Sequence, residues 1–211
     1  FLPVSTTTTT NADYKAFMAA NANIAKNKGW KVGFGSSINT NITTTGTYTC
    51  PTVNTSSYIQ MDVAQGETIK FKLMAPSSIQ VRVLSGALDT FVFATTGWSK
   101  VINITAGAPN IQIYGDVNGL DCGGNYENIS DINVSHNRSI CILYCDRNNL
   151  TSLDVSNCLS LTDLYCFENK IHDLNLANTP ALKRLRCNDD SLTGLDLSSC
   201  FSLEYLDCYS N

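Results

Sequence analysis

The chain has 211 residues, enough for one large domain or two small ones, and 43% of them are hydrophobic against 15% charged. That balance can bury a core and excludes a disordered polymer, while no run nears the roughly 20 apolar residues that span a bilayer. Net charge is −4 but divided, +3 over residues 1–116 (eight Lys/Arg, five Asp/Glu) and −7 over 117–211 (six against thirteen), and the acidic half excludes a nucleic-acid partner because it repels phosphate.

Residues 1–10, PheLeuProValSer and five threonines, have no initiator Met, no basic stretch and too short an apolar run for a signal peptide. They are expected to be a flexible tail on a mature fragment whose targeting segment has been removed. Asn11 can cap a helix with Tyr14, Phe17, Met18 and Ile24 on its apolar side, ending at Gly29; an irregular arm is the alternative. Strand-like runs come next, at 30–34, 57–63, 68–74, 79–84, 90–94, 100–104 and 110–114. Most alternate apolar and polar residues, as sheets wet on one face do, and their spacing predicts a β-sandwich. AspValAlaGlnGlyGluThrIleLysPhe at 62–71 resembles a bacterial immunoglobulin-like segment. The last strand runs through Gly115-Asp116 into residue 117 with no linker, so residues 11–116 are expected to be a cap domain fused rigidly to the C-terminal half.

From 117 to 211 the chain repeats. Blocks starting at 129, 150, 171 and 192 align without gaps, and Leu-x-Cys recurs at 143–145, 164–166, 185–187 and 206–208. Leu120-Asp121-Cys122 precedes them with two residues extra, where Gly123 and Gly124 lengthen a turn. Three residues past each cysteine stand Asn125, Asn148, Asn169, Asp190 and Asn211. These columns resemble the leucine-rich repeat family, in the 21-residue form found in surface proteins of Bacteroidetes. The resemblance implies a solenoid of about four to five coils with a parallel sheet, a binding face on the outward strand positions, and a surface location. The fold class expected for the whole chain is therefore mainly β: an immunoglobulin-like sandwich with a short N-terminal helix, then a leucine-rich solenoid.

Leu and Cys at period 2 point inward from a short strand. A ladder spreads thiols in a line, whereas zinc gathers four tetrahedrally, and disulfide geometry fits such a ladder poorly. Cys122, Cys145, Cys166, Cys187 and Cys208 are thus expected to be packing residues, with no metal and no cofactor. The pairing of Cys50, Cys141, Cys158 and Cys200 stays open.

The positions flanking Leu and Cys form the candidate concave face: Ile142, Tyr144 and Asp146; Asp163, Tyr165 and Phe167; Arg184, Arg186 and Asn188; Tyr205, Asp207 and Tyr209. Tyr and Arg are the types enriched at hot spots, burying large area behind a polar tip. Catalytic patterns are poor: His136 and His172 lie in different repeats, and no nucleophile elbow, zinc-protease helix or phosphate loop occurs. The expectation is a non-catalytic module recognising a protein or glycan at the outer-membrane or extracellular surface of a bacterium. Membrane contact would come only through a lipid anchor upstream. The rung ending at Asn211 has no capping repeat, so either the array continues or it dimerises end to end. A structural spacer is the alternative, and a carbohydrate-active accessory domain a weaker one.

Overall fold

The computed structural model describes residues 53–156 and 158–211, together with two short paired strands earlier in the chain, β1 (Gly33–Phe34) and β2 (Ser37–Ile38). The expected tail over 1–10, the helix over 11–29, the remainder of the run over 30–34, and Cys50 lie outside the described residues. Contacts divide the chain into Phe1–Pro51 and Thr52–Asn211, so the expected border at 116/117 falls inside the second unit.

Among the described residues the protein is mainly β, and its helical content is one short turn of 3-10 helix at Tyr126–Asn128. The six runs predicted between 57 and 114 form β3 (Tyr58–Val63), β4 (Thr68–Met74), β5 (Ile79–Ser85), β6 (Leu88–Ala94), β7 (Ile102–Thr105) and β8 (Asn110–Tyr114). Alternation decides which face each one buries. In β3, Ile59, Met61 and Val63 go inside while Tyr58, Gln60 and Asp62 stay half-buried on the other face.

The repeats then supply β9 (Gly119–Asp121), β10 (Ile129–Asn133), β11 (Ile142–Tyr144), β12 (Ser152–Asp154), β13 (Asp163–Tyr165), β14 (Asp173–Asn175), β15 (Arg184–Arg186) and β16 (Tyr205–Asp207). Leu143 pairs with Leu164, Leu164 with Leu185 and Leu185 with Leu206, each step 21 residues (164 − 143). The result is a β-solenoid of 21-residue turns, a leucine-rich-repeat-like pattern. Leu143, Leu164 and Leu185 are fully buried; each contributes roughly 1.5–3 kcal/mol, available only because a neighbouring coil covers it.

Two sheets run through the unit without a break at residue 116. One has seven strands, ordered β16-β15-β13-β11-β9-β4-β7; the other has five, ordered β10-β3-β8-β5-β6. The first is parallel along the solenoid and turns antiparallel where β9 meets β4, with Leu120 opposite Leu73. The second reaches the repeats through β10, antiparallel to β3. The faces they bury share one core, from Ile59 and Phe71 to Leu185 and Cys187.

A second parallel pair, β12 with β14, lies in the other half of the repeat, away from the Leu-x-Cys strands. Leu153-x-Val155 and Leu174-x-Leu176 carry its period of 2, so each of these coils has two strand corners and not one.

Asparagines tie the coils together. Asn169 Nδ2 donates to the Cys166 carbonyl of its own coil at 2.7 Å and to the Cys145 carbonyl of the coil before at 3.1 Å, while its Oδ1 accepts from Leu150 N at 3.1 Å. Asn148 reaches Cys145 and Cys122 in the same way, and Asn211 reaches Cys208 and Cys187. At the first rung Asn125 grips β4: its Oδ1 accepts from Lys70 N at 2.9 Å and its Nδ2 donates to Lys70 O at 2.8 Å. The longer first turn shows here, because Asn148 Oδ1 is buried and lacks the bond that Asn169 makes. The turn itself is left-handed at the second residue past the cysteine, with φ of 52–54° at Arg147, Glu168, Asp189 and Ser210 and 74° at Gly124.

Replacing Asn169 with Ala strands the Cys166 carbonyl and the Leu150 amide and leaves the Cys145 carbonyl to Asn148 alone, so the protein should lose about 2 kcal/mol in urea denaturation. An unchanged midpoint would mean that the ladder bonds do not hold the coils.

Candidate functional site

The cysteine column is packing from Cys122 to Cys187, whereas Cys208, expected to pack in the same way, is exposed on the last described coil. Cys122, Cys145, Cys166 and Cys187 are free, fully buried thiols in the core, and Cys158 and Cys200 are free and buried beside them. Burial first, then nearby carboxylates or thiols, raises the Cys122, Cys145, Cys166 and Cys187 thiols above their ordinary range. Thr179, between Cys158 and Cys200 in their column, donates to Leu176 O at 2.7 Å and lies 3.4 Å from Cys200 Sγ. Among the described residues no three His, Cys, Asp or Glu gather as a metal ion would require.

The opposite positions of the same strands form the candidate face, and sheet register orders them. One row reads Lys72, Asp121, Tyr144, Tyr165, Arg186, Asp207; the next reads Met74, Gly119, Ile142, Asp163, Arg184, Tyr205. Tyr144 and Tyr165 stand on adjacent strands in one register, so their rings stack, 4.5 Å apart and 17° from parallel. Burial, then the neighbouring Asp163 and Tyr165, raises the Tyr144 hydroxyl and keeps it a proton donor.

Charges on this face are matched by register. Lys72 Nζ meets Asp121 at 2.8 Å and Arg186 Nε meets Asp207 at 3.2 Å, and Arg184 Nε bonds Asp163. Arg147 takes Glu168 at 3.2 Å and Asp146 at 3.4 Å. The half-exposed pairs among these contribute little stability, but all of them fix where the guanidinium groups lie. Arg186 lies 4.5 Å from the Phe167 ring centre and 5.6 Å from that of Tyr165, and Arg147 also lies over Phe167, at 5.1 Å.

Of the expected site residues, the structure brings Tyr144, Tyr165, Arg184, Arg186 and Asp207 together as exposed or half-buried neighbours. Two expectations are corrected. Phe167 is 6% exposed because the two arginines cover its ring, and Asp163 is 2% exposed beneath Arg184 and the Thr162 hydroxyl, which donates at 2.7 Å. Asn188, which flanks the same column, is buried as well. Asp146 is half-buried, and burial raises its carboxyl. Tyr205 and Tyr209 stand on the last described coil, both exposed.

Trp98 joins the face although its sequence position gave no sign of it. Ser99 holds the turn to β4, donating its amide to Leu73 O at 2.9 Å and accepting Leu73 N at its hydroxyl, 3.1 Å away. The indole then settles over Gly119, where an added Cβ would meet Trp98 at 3.2 Å and Met74 at 3.1 Å. Its ring lies 5.7 Å from Tyr144, which extends the aromatic stripe to three rings.

No protein family model and no curated protein matches the chain. Among solved structures it is similar to the functional domain of InlJ from Listeria monocytogenes, described as including a cysteine ladder. Identity is 36%, the match covers 43% of this chain and 20% of that one, and the TM-score is 0.41. The chain thus spans about a fifth of that protein's length. Among the described residues no helix is long and apolar enough to cross a membrane.

The thiols give a direct test of the inside-outside assignment. Alkylating the native protein with iodoacetamide should label the exposed Cys208, with Cys122, Cys145, Cys166 and Cys187 protected until denaturant is added. Rapid native labelling of any of those four would contradict their burial.

Proposed function

We propose that the protein is a non-catalytic recognition module of a bacterial exterior, and that a protein partner docks on the outward face of the seven-stranded sheet. The observation that carries this reading is the Trp98–Tyr144–Tyr165 stripe beside arginines already held by Asp163 and Asp207. Aromatic groups with two rotatable bonds and arginines fixed in place lose little freedom on binding, which favours affinity. Matched charges leave no strong field of one sign, so the fitting partner is a polar-apolar protein surface more than a polyanion.

Glycan recognition is less favoured by the geometry. A sugar ring stacks on an open aromatic face, and Tyr144 and Tyr165 spend theirs on each other, leaving edges and hydroxyls outward. An exterior location agrees with the buried thiols: with little thiolate and no access, they stay reduced in oxidising surroundings. The spacer reading draws on the same self-paired charges, since a passive wall would also neutralise them.

Screening the immobilised protein against extracellular protein and glycan arrays distinguishes these readings. Protein ligands are expected, and Tyr144→Ala with Tyr165→Ala should weaken them at least about tenfold, about 1.4 kcal/mol. The double variant should retain its circular dichroism and melt within a few degrees of the parent. Equal affinity in the variant would remove the face from the account; an array without ligands would favour the spacer.

A further inference from the structure

The asparagine ladder has one rung of different chemistry. Asp190 stands where the other coils have Asn125, Asn148, Asn169 and Asn211. Its Oδ1 does an asparagine oxygen's work, accepting from Ile171 N at 3.3 Å as Asn169 Oδ1 accepts from Leu150 N, and also from Asn169 N at 3.0 Å. Its Oδ2 is buried without a partner. That oxygen replaces the amide nitrogen, which in the other four rungs donates to the carbonyl of the cysteine three residues earlier, at 2.7–2.9 Å. For Asp190 that carbonyl belongs to Cys187.

An ionised carboxylate has nothing to donate, and would set a lone pair of Oδ2 against the carbonyl's own. A neutral carboxylic acid restores one of the two donors that an asparagine supplies. We propose that Asp190 is a protonated rung, its Oδ2–H donating to the Cys187 carbonyl, and that losing this proton loosens the coil that carries Arg184 and Arg186. The device is a pH-sensitive fastening in an otherwise pH-indifferent ladder.

The surroundings agree. Burial first raises the Asp190 carboxyl from 3.8 to about 6, opposed by the two backbone amides and helped by the charge of Asp189. Asp189 itself is held by Asn188 Nδ2 at 2.7 Å. The other titratable groups facing the carboxyl are the Cys145, Cys166 and Cys187 thiols, kept neutral by burial, and the rungs on either side are the uncharged Asn169 and Asn211. Linkage sets the sign. A folded-state value above the unfolded one gives a contribution complete below about 3.8 and lost as pH rises through about 6.

Asp190→Asn tests this, because it installs the ladder's own residue. The variant should melt about 4 °C or more above the parent at about pH 8, and the gap should narrow as pH falls through about 6 and shrink towards nothing only near about pH 3.5. Carbon-13 titration of the aspartate carboxyls supplies the second reading, with the Asp190 signal identified by its loss in the variant. A midpoint near 6 supports the proposal. A midpoint in the ordinary aspartate range, or a melting gap of equal size at both pH values, overturns it.

Discussion

In the described coils the carbonyl of the ladder cysteine needs a donor that the backbone does not supply, and at every rung but Asp190 an asparagine side chain provides it. Asn169 does this with three bonds, and Asn125 does it with both backbone groups of Lys70 on β4. Buried carbonyls without partners cost about 1–3 kcal/mol each, so this side chain dictates the distance from one coil to the next. Strand register is set by that distance: Leu over Leu, Cys over Cys, Tyr over Tyr. The stacked Tyr144–Tyr165 pair and the row of matched charges are consequences of it.

The same constraint explains how the two kinds of sheet become one. A parallel solenoid sheet would present a raw edge at β9, yet β4 pairs with it antiparallel and is held by the first rung of the ladder. The β4 strand thus belongs to the shared core and to the solenoid wall at once, and the β6–β7 connection held to its Leu73 delivers Trp98 to the face.

Much of this was legible in the sequence, for reasons that can be named. Leu-x-Cys on a constant interval fixes which side chains point inward, so the buried thiols and the outward Tyr144, Tyr165 and Arg186 follow from period 2 alone. The asparagine column marks where turn carbonyls need a donor. Groups assembled from distant segments were not legible. Trp98 is a tryptophan in a turn until the Ser99 bonds and the bare Gly119 place it. Phe167 is outward by period, yet covered, because Arg147 from a left-handed turn and Arg186 from the next coil close over its ring. The antiparallel join of β4 to β9 leaves no periodic trace, since it pairs a strand from outside the repeats with a repeat.

The central claim is that the seven-stranded sheet, closed by the asparagine ladder, makes β4 and the repeat strands from β9 to β16 a single cooperative structure. Native-state hydrogen exchange resolved by residue tests it most directly. The amides of Lys70 and Leu73 in β4 should open with the same free energy as those that join β11, β13 and β15, such as Cys145 and Cys166. Early exchange of β4 amides while the repeat amides stay protected would show two independently unfolding bodies, and would contradict the account.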